Sequence, residues 1–215
     1  MEFISKELLN YCENHTTAEA DVLKELNRET FAKVMSPRML SGHLQGSFLS
    51  LISTLLQPST ILEIGTYTGY SAICLAKGLK QGGKLITIDV NDELKSMVEQ
   101  YLAKANVLHS CEVLTGDAEK IIPTLNNNFD LVFIDANKEA YSRYYDLVFE
   151  KLKIGGYLLA DNVLWSGNVV KEEENWDKDT KHIVAFNEKV NSDSRTEKIL
   201  LPIRDGIYII KKIKN

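Results

Sequence analysis

The chain has 215 residues, of which 44% are hydrophobic and 26% are charged, and its formal net charge is −5. This length and composition predict a single globular domain with ample apolar material for a core. The negative net charge argues against broad, sequence-independent nucleic-acid binding, which needs many phosphate-neutralising lysines and arginines. No secretory signal and no apolar run of membrane-spanning length is visible, so a cytoplasmic location without membrane contact is expected.

Residues 1–57 are predicted to form an N-terminal helical extension of the domain. The stretches ISKELLNYCENH, AEADVLKELNRETFAKV and HLQGSFLSLISTLLQ each place apolar residues on one helical face. Thr17 is the expected cap of the second stretch. Pro37 and Gly42 interrupt the helical pattern before the third stretch.

Residues 58–215 are predicted to form an α/β core. Short apolar runs rich in β-branched residues alternate there with amphipathic helical patterns, namely TILEI, KLITID, CEVLTG, FDLVFID and GYLLADNV. This alternation predicts right-handed βαβ units and a doubly wound, mostly parallel sheet. The last two runs, RTEKILLP and GIYIIKKI, stand too close together for a crossover helix, so we expect an antiparallel C-terminal hairpin. The expected fold is a seven-stranded Rossmann-like sheet.

The first predicted strand runs into a glycine loop with the sequence EIGTYTGYS, which begins at Glu63 and includes Thr66. Gly65 and Gly69 allow a tight turn and a close backbone approach to a ligand at the carboxyl edge of the sheet. Tyr67 stands where a dinucleotide-binding loop has a further glycine, so a pyrophosphate would not come as close. The loop alone is also compatible with a simple tight turn.

Acidic residues follow the next two predicted strands. Asp89 ends the second strand, where a carboxylate suits the two hydroxyls of a ribose, although a strand-end cap is the alternative. Asp117 follows the third strand, where a contact with an adenine amino group and a helix cap remain equally open. Together with the glycine loop, these positions predict an adenosine-containing ligand. They do not separate a nicotinamide cofactor from S-adenosylmethionine.

The fourth and fifth predicted strands end in FIDANK and ADNVLW. Because the carboxyl ends of neighbouring parallel strands share one edge, Asp135, Asp161 and Asn162 are expected to converge there. Two carboxylates and an amide oxygen are the hard ligands that Mg²⁺ prefers, and the absence of His and Cys in these segments disfavours zinc. Lys138 follows three residues after Asp135. Since a cation lowers the pKa of a coordinated hydroxyl, a lysine with a depressed pKa beside it is the candidate general base.

The motifs LEIGTYTGYS, FIDANK and ADNVLW resemble those of the cation-dependent O-methyltransferases that include the caffeoyl-CoA and catechol O-methyltransferases, over about Met35 to Lys212. The resemblance implies S-adenosylmethionine as methyl donor, Mg²⁺ or a similar cation such as Mn²⁺ or Ca²⁺, and a homodimer. Asp135, Asp161 and Asn162 match the metal ligands of that family, and Lys138 matches its proposed base. The cofactor-binding set predicted from loops and resemblance is Met39, Glu63, Gly65, Thr66, Ser71, Asp89, Asp117, Ala118 and Asp135.

The methyl acceptor is the least constrained part of this prediction. A small hydroxylated aromatic molecule of the catechol or caffeoyl type is expected, with Trp165 as an aromatic wall and Arg204 as a further contact, although Trp165 also suits core packing. The motif DANK replaces the frequent DADK, and IRDG in the hairpin replaces the usual VGDG. Both departures lie where the acceptor is expected to bind.

Three alternatives remain beside this interpretation. A hydroxylated tRNA base, 5-hydroxyuridine, is a second acceptor class, for which a basic surface would have to come from Lys33, Arg38, Lys138, Arg143 and Arg204. A nicotinamide-dependent oxidoreductase is disfavoured by the missing third glycine and by the paired Asp and Asn after the fifth strand. A non-catalytic adenosine-binding module is disfavoured because Lys138 accompanies a complete set of metal ligands.

Overall fold

A computed structural model describes residues 4–215 of the chain. The chain folds as two compact units, Ser5–Asp117 and Ala118–Asn215. The prediction of a single domain with an N-terminal extension stays a prediction. Among the described helices, none combines the length and the apolar character needed to cross a bilayer.

The unit Ser5–Asp117 combines the N-terminal helices with the first three strands. Its helices are α1 (Lys6–Asn14), α2 (Asp21–Lys33), α3 (Gly42–Leu56), α4 (Tyr70–Ala76) and α5 (Lys95–Lys104). Its strands are β1 (Thr60–Ile64), β2 (Lys84–Asp89) and β3 (Cys111–Thr115), and β2 pairs in parallel with both others. Ile61 and Leu62 on β1 are fully buried, as expected for a parallel strand covered on both faces.

The unit Ala118–Asn215 carries the remaining strands. Its helices are α6 (Ala118–Ile121), α7 (Tyr141–Lys151) and α8 (Lys178–Ser192), and its strands are β4 (Phe129–Ile134), β5 (Leu152–Asp161), β6 (Thr196–Leu201) and β7 (Ile207–Lys212). β4 and β5 are parallel, whereas β7 is antiparallel to both β5 and β6. Tyr145 of α7 packs against Phe149 of the same helix and against Phe186 of α8.

The seven strands have the hydrogen-bonded order β3-β2-β1-β4-β5-β7-β6. The predicted doubly wound, mostly parallel sheet with an antiparallel C-terminal hairpin is therefore confirmed. Each predicted strand is present, and β5 begins earlier than expected, at Leu152. The hairpin folds back so that its second strand, β7, pairs with β5.

The start of α2 differs from the sequence prediction. The helix begins at Asp21 with Ala20 as its N-cap, so the predicted cap at Thr17 is wrong. Long-range hydrogen bonds hold the preceding residues outside the helix. The ring Nε2 of His43 donates to the Thr17 carbonyl at 2.7 Å, and the Tyr70 hydroxyl donates to the carboxylate of Glu19.

Candidate active site

The glycine loop joins β1 to α4 through residues in the left-handed region. Gly65, Tyr67 and Gly69 have φ angles of 100°, 49° and 90°. The Gly65 N–H donates to the Ile88 carbonyl at 2.9 Å, which fixes the start of the loop to the end of β2. A Cβ atom at Gly69 would lie 3.3 Å from Val98 Cγ1, in a backbone conformation that side chains rarely adopt. The two glycines therefore make this tight turn possible.

The carboxylate of Asp89 is oriented by backbone donors at the end of β2. The Tyr67 N–H donates to Oδ2 at 2.7 Å, and the Asn91 N–H donates to Oδ1 at 2.9 Å. Because each carboxylate oxygen accepts more than one hydrogen bond, both oxygens keep capacity for ligand hydroxyls. The bond from Asn91 is the expected strand-end cap, and the bond from Tyr67 joins the carboxylate to the glycine loop. This geometry suits the predicted ribose contact.

Glu63 is a buried carboxylate next to the glycine loop. Its exposed fraction is 0%, and Thr87 Oγ1 donates to its Oε2 at 2.5 Å. The hydroxyls of Thr66 and Thr87 are hydrogen-bonded to each other, and both side chains are buried. A buried carboxylate needs such donors to offset its loss of hydration. The chain of hydroxyls therefore fixes both predicted cofactor residues, Glu63 and Thr66.

Met39 and Ser71 lie at the ends of helical segments in the same unit. Met39 ends the short 3₁₀ helix Pro37–Met39 and its side chain is 62% exposed. The Tyr67 hydroxyl of the glycine loop donates to the carbonyl of Ser36, just before this segment, at 3.3 Å. Ser71 is buried in the first turn of α4, directly after the loop.

Asp117 and Ala118 stand at the boundary of the two compact units. The Gly116 N–H donates to the Asp89 carbonyl at 2.8 Å, so the turn before Asp117 is bound to the end of β2. Asp117 itself is exposed, and Ala118 is buried as the first residue of α6. Of the predicted cofactor residues, Glu63, Gly65, Thr66 and Asp89 are thus tied to the ends of β1 and β2 by hydrogen bonds.

In the second unit, Lys138 links two groups that follow β4. Its Nζ donates to Asp135 Oδ1 at 3.0 Å and to the Tyr141 hydroxyl oxygen at 2.8 Å. The Lys138 side chain is only 11% exposed, in a short 3₁₀ helix that the Asn137 side chain caps by accepting from the Glu139 N–H at 3.2 Å. The motif DANK therefore places an ammonium group directly against the first predicted metal ligand.

Asp161 and Asn162 occupy the end of β5. Asp161 is 2% exposed, and its Oδ1 accepts from the Asn162 N–H at 2.8 Å. Asn162 has a φ of 58°, in the left-handed region that asparagine tolerates better than most residues. The Tyr141 hydroxyl donates to the Asp161 carbonyl at 3.0 Å. Tyr141 thus connects the residues after β4 with the end of β5.

The predicted ligand set fits a divalent cation by its donor chemistry. Asp135, Asp161 and Asn162 offer two carboxylates and an amide oxygen, which are hard donors suited to Mg²⁺. Over residues 4–215, no three His, Cys, Asp or Glu side chains are grouped as a metal site. The predicted set is compatible with this observation because its third member is an amide.

The protein's own groups raise the pKa of Lys138. Burial by itself lowers the pKa of a lysine, but the neighbouring Tyr141 and the carboxylates of Asp135 and Asp161 outweigh it. Burial in turn raises the pKa of Tyr141, against the effect of the Lys138 ammonium. Among these groups alone, Lys138 is therefore an ammonium ion, and the depressed pKa expected of a base requires a further positive charge.

Trp165 and Arg204, the predicted acceptor contacts, both lie in turns of the second unit. The Lys138 Nζ lies 6.0 Å from the centroid of the Trp165 ring, at the outer limit of a cation–π contact. Trp165 has a φ of 44° in the turn after β5. Arg204 has a φ of 50° between β6 and β7. The structure therefore brings Trp165 near Lys138 and places Arg204 in the turn between β6 and β7.

Tyr141 is the site residue that the sequence analysis missed. Its signal was its position three residues after Lys138, in the sequence KEAY, which places both on one helical face. A tyrosine at the start of a helix is otherwise an ordinary core residue, and only its bonds to Lys138 and to the Asp161 carbonyl distinguish it.

Comparisons with known proteins identify the family of the chain. The model of the O-methyltransferase family matches residues 13–213. A protein described as probable caffeoyl-CoA O-methyltransferase 2 of Dictyostelium discoideum is 34% identical over 211 residues, which cover 96% of this chain and 91% of that protein.

Solved structures extend the likeness to the whole fold. The SAH-bound methyltransferase PaMTH1 of Podospora anserina has a TM-score of 0.88 and 27% identity, covering 99% of this chain and 97% of its own. The O-methyltransferase TomG of Streptomyces achromogenes, solved in complex with SAM, has a TM-score of 0.88 and 28% identity, covering 97% of this chain and 96% of its own. The chain therefore belongs to the S-adenosylmethionine-dependent O-methyltransferase family that its motifs predicted.

Proposed function

We propose that this enzyme transfers the methyl group of S-adenosylmethionine to a hydroxyl of a small catechol-like or caffeoyl-type aromatic acceptor. A divalent cation, Mg²⁺ or alternatively Mn²⁺ or Ca²⁺, would be held by Asp135, Asp161 and Asn162. The observation that carries the proposal is the buried group in which Lys138 bonds to Asp135 and, through Tyr141, reaches the end of β5. A group of this kind favours a catalytic role over an adenosine-binding module without catalysis.

The methyl donor is assigned to the residues around the glycine loop. PaMTH1 and TomG, which share the fold, were solved with SAH and SAM. The oriented carboxylate of Asp89 suits the ribose hydroxyls, and buried Glu63 and Thr66 suit the polar groups of an adenosine ligand with a methionine tail. The side chain of Tyr67 in the loop disfavours a nicotinamide dinucleotide, whose pyrophosphate needs a closer backbone approach.

Proton removal is assigned to Lys138. When bound, a divalent cation supplies positive charge that lowers the pKa of an acceptor hydroxyl and of the nearby Lys138 ammonium. Asp135 and Tyr141 hold the Lys138 Nζ at 3.0 Å and 2.8 Å, so the amine keeps a fixed position from which to take a proton. The acceptor oxygen then attacks the sulfonium methyl group, the bond between sulfur and methyl breaks, and S-adenosylhomocysteine leaves. Positioning of the two reactants supplies much of the rate.

A planar acceptor is favoured by Trp165, whose ring lies near Lys138. The name of the Dictyostelium relative points to the caffeoyl type of acceptor. The basic residues that a tRNA surface would need are largely engaged. Lys33 pairs with Glu29 and Arg143 pairs with Glu119, each at 2.8 Å. These pairs favour the small-molecule acceptor over 5-hydroxyuridine in tRNA.

The assembly and the location of the enzyme are further parts of the proposal. A homodimer is expected from the resemblance of the motifs to the caffeoyl-CoA and catechol O-methyltransferases, and light scattering of the purified protein measures it. A cytoplasmic location stays a prediction, which imaging of a tagged chain in its host would test.

An acceptor screen tests the proposed function directly. Purified enzyme with S-adenosylmethionine and Mg²⁺ is offered catechols, caffeoyl-CoA and hydroxylated tRNA, and methylated products are measured by mass spectrometry. Methylation of a catechol or of caffeoyl-CoA is the expected result. Methylation of tRNA alone would replace the proposed acceptor, and binding of NAD in preference to S-adenosylhomocysteine would contradict the reaction class itself.

A further inference from the structure

The turn after β5 has an unusual concentration of left-handed residues. Asn162, Trp165, Ser166 and Gly167 have φ angles of 58°, 44°, 53° and 77°. This conformation is unfavourable for residues with side chains, above all for a bulky tryptophan, and it persists only where the surrounding structure holds it. Two hydrogen bonds within the turn, from the Trp165 N–H to the Asn162 carbonyl and from the Gly167 N–H to the Leu164 carbonyl, are supplemented by contacts from outside it.

The hairpin turn between β6 and β7 supplies those contacts. The Ser166 N–H donates to Asp205 Oδ1 at 2.5 Å, and the Leu164 N–H donates to the Asp205 carbonyl at 2.9 Å. The Val163 N–H donates to the Gly206 carbonyl at 3.3 Å. Asp205 thus accepts from the backbone on both sides of Trp165, once with its side chain and once with its main chain.

Two further observations show how closely the turn is held. A Cβ atom at Gly206, where φ is 88°, would lie 2.5 Å from Leu164 Cγ, so only glycine permits this approach of the hairpin. On the opposite side, Asn187 Nδ2 of α8 donates to the Val163 carbonyl at 2.8 Å. The turn is therefore fixed by the hairpin and by α8, and the Asp205 carboxylate is the only one of these anchors that bonds beyond Trp165.

We propose that Asp205 is a positioning residue for acceptor binding: its carboxylate fixes the Ser166 N–H and thereby sets the place of the Trp165 ring beside the Lys138 ammonium. The inference rests on the proposed function, in which Trp165 contacts a planar acceptor. Asp205 itself need not touch the acceptor. Its part is to hold an otherwise unfavourable backbone conformation in one arrangement.

The electrostatics of Asp205 agree with a geometric role. Burial raises the pKa of this carboxyl group, and the hydrogen bond from the Ser166 N–H and the positive charges of Lys138 and Arg204 oppose the rise. The net direction is upward, so burial outweighs the groups that favour the charged form. What the fold retains is an acceptor oxygen at a fixed distance from the Ser166 N–H.

Two substitutions separate geometry from charge. Asp205→Asn keeps an acceptor oxygen in place without the charge, and Asp205→Glu keeps the charge but moves the oxygen by about 1.5 Å, one carbon–carbon bond. We expect the Glu variant to raise the acceptor KM by about tenfold with a smaller change in kcat, because small displacements at a positioned site are costly. The Asn variant is expected to stay within about twofold of wild type, since its hydrogen bond survives.

The matched control is Asp177→Glu. Asp177 also accepts a backbone N–H with its carboxylate, from Thr180 at 2.7 Å, as the N-cap of α8, and it makes no hydrogen bond to residues 162–167. Its lengthening is expected to lower the melting temperature without changing the acceptor KM. Binding of S-adenosylhomocysteine should be unchanged in all three variants.

Tryptophan fluorescence gives a reading that needs no acceptor. The chain has two tryptophans, so in a Trp176→Phe background the emission reports Trp165 alone. Asp205→Glu is expected to shift this emission, and Asp205→Asn is expected to leave it unchanged. If the Glu variant does not fold, Asp205→Ser provides the same comparison, because its shorter side chain moves the acceptor oxygen away from the Ser166 N–H.

The proposal is overturned if the displaced oxygen leaves the acceptor KM unchanged, or if KM rises while the Trp165 emission stays at its wild-type position. It is also overturned if Asp205→Asn is as impaired as Asp205→Glu, because an acceptor oxygen in the right place would then not be sufficient without the charge. If wild-type enzyme methylates neither catechols nor caffeoyl-CoA, the proposed function fails, whereas the emission comparison still decides whether Asp205 positions Trp165.

Discussion

The site residues of Ser5–Asp117 and those of Ala118–Asn215 are held by different kinds of contact. In the first unit, Asp89 accepts from two backbone N–H groups, and Glu63 and Thr66 are joined through the hydroxyl of Thr87. In the second unit, the ammonium of Lys138 bonds to the carboxylate of Asp135 inside a mostly buried group. Neutral hydrogen-bond donors hold the site residues of Ser5–Asp117, whereas an ion pair holds those of Ala118–Asn215.

This difference indicates what each region is suited to bind. Carboxylates already supported by neutral donors can accept further hydrogen bonds from uncharged hydroxyls, as a ribose offers. A buried group of opposed charges responds instead to an added charge, because electrostatic interactions are strong where water is excluded. Binding of the methyl donor should therefore be insensitive to a cation, whereas turnover should depend on one.

Removal of metal is expected to have the largest effect. Exhaustive EDTA treatment should abolish methyl transfer, and Mg²⁺ or Mn²⁺ should restore it, because Asp135, Asp161 and Asn162 offer only oxygen donors. Calorimetry of S-adenosylhomocysteine binding is the internal control, and its affinity should be the same with and without chelator. Full turnover in EDTA would contradict the proposed ligand set.

Substitution of Lys138 should come next in size. Lys138→Met keeps most of the side-chain volume and should lower kcat by roughly 10²–10⁴, the usual effect of losing a general base. The residual rate should rise with pH as solvent takes over deprotonation, while affinity for S-adenosylhomocysteine stays unchanged. The matched control is Lys178→Met, which removes another ion-paired lysine, 2.7 Å from Glu139 and largely exposed, and should leave kcat unaltered.

A kcat within a few-fold of wild type in Lys138→Met would remove the base assignment. Lys138 would then only orient the acceptor. That outcome would agree with the raised pKa that Tyr141, Asp135 and Asp161 give this lysine. The acceptor hydroxyl would then lose its proton only because the bound cation lowers the pKa of that hydroxyl.

The Asp89→Ala variant tests the other region. Loss of the carboxylate should weaken S-adenosylhomocysteine binding by about 1–3 kcal/mol, because buried ribose hydroxyls would lose their acceptor. The control is Asp92→Ala, an exposed aspartate just beyond the same strand, which should not change the affinity measured by calorimetry. Equal losses in the two variants would show that Asp89 acts only through general charge.

The smallest effect is expected at Arg38, which is exposed beside Met39. Arg38→Glu should change the KM for a catechol by less than about twofold, and turnover should barely respond to salt, because a small acceptor releases few counterions. A tRNA acceptor would instead lose affinity steeply as salt rises. If Arg38→Glu and added salt both strongly weakened acceptor binding, the acceptor would be a nucleic acid and not a small molecule.

Much of the fold follows from local sequence pattern. β1 at Thr60–Ile64 and β2 at Lys84–Asp89 match the predicted runs because buried parallel strands read as short apolar segments between helical patterns. The positions of Asp89, Asp135 and Asp161 follow in turn, since each directly follows or ends such a strand. The candidate site could therefore be located from the sequence as a set of strand ends.

Only the tertiary structure decided which partners those residues meet. The start of α2 at Asp21 depends on hydrogen bonds from His43 to Thr17 and from Tyr70 to Glu19. The local sequence pattern does not predict these long-range bonds. The pKa of Lys138 is raised by Tyr141, Asp135 and Asp161 against the effect of burial, and these groups come from different segments of the chain. The depressed pKa expected beside a bound cation stays a prediction. The spacing of apolar residues along a segment predicts whether that segment is a helix or a strand. Hydrogen bonds and pKa values depend instead on groups that folding brings close from distant positions in the sequence.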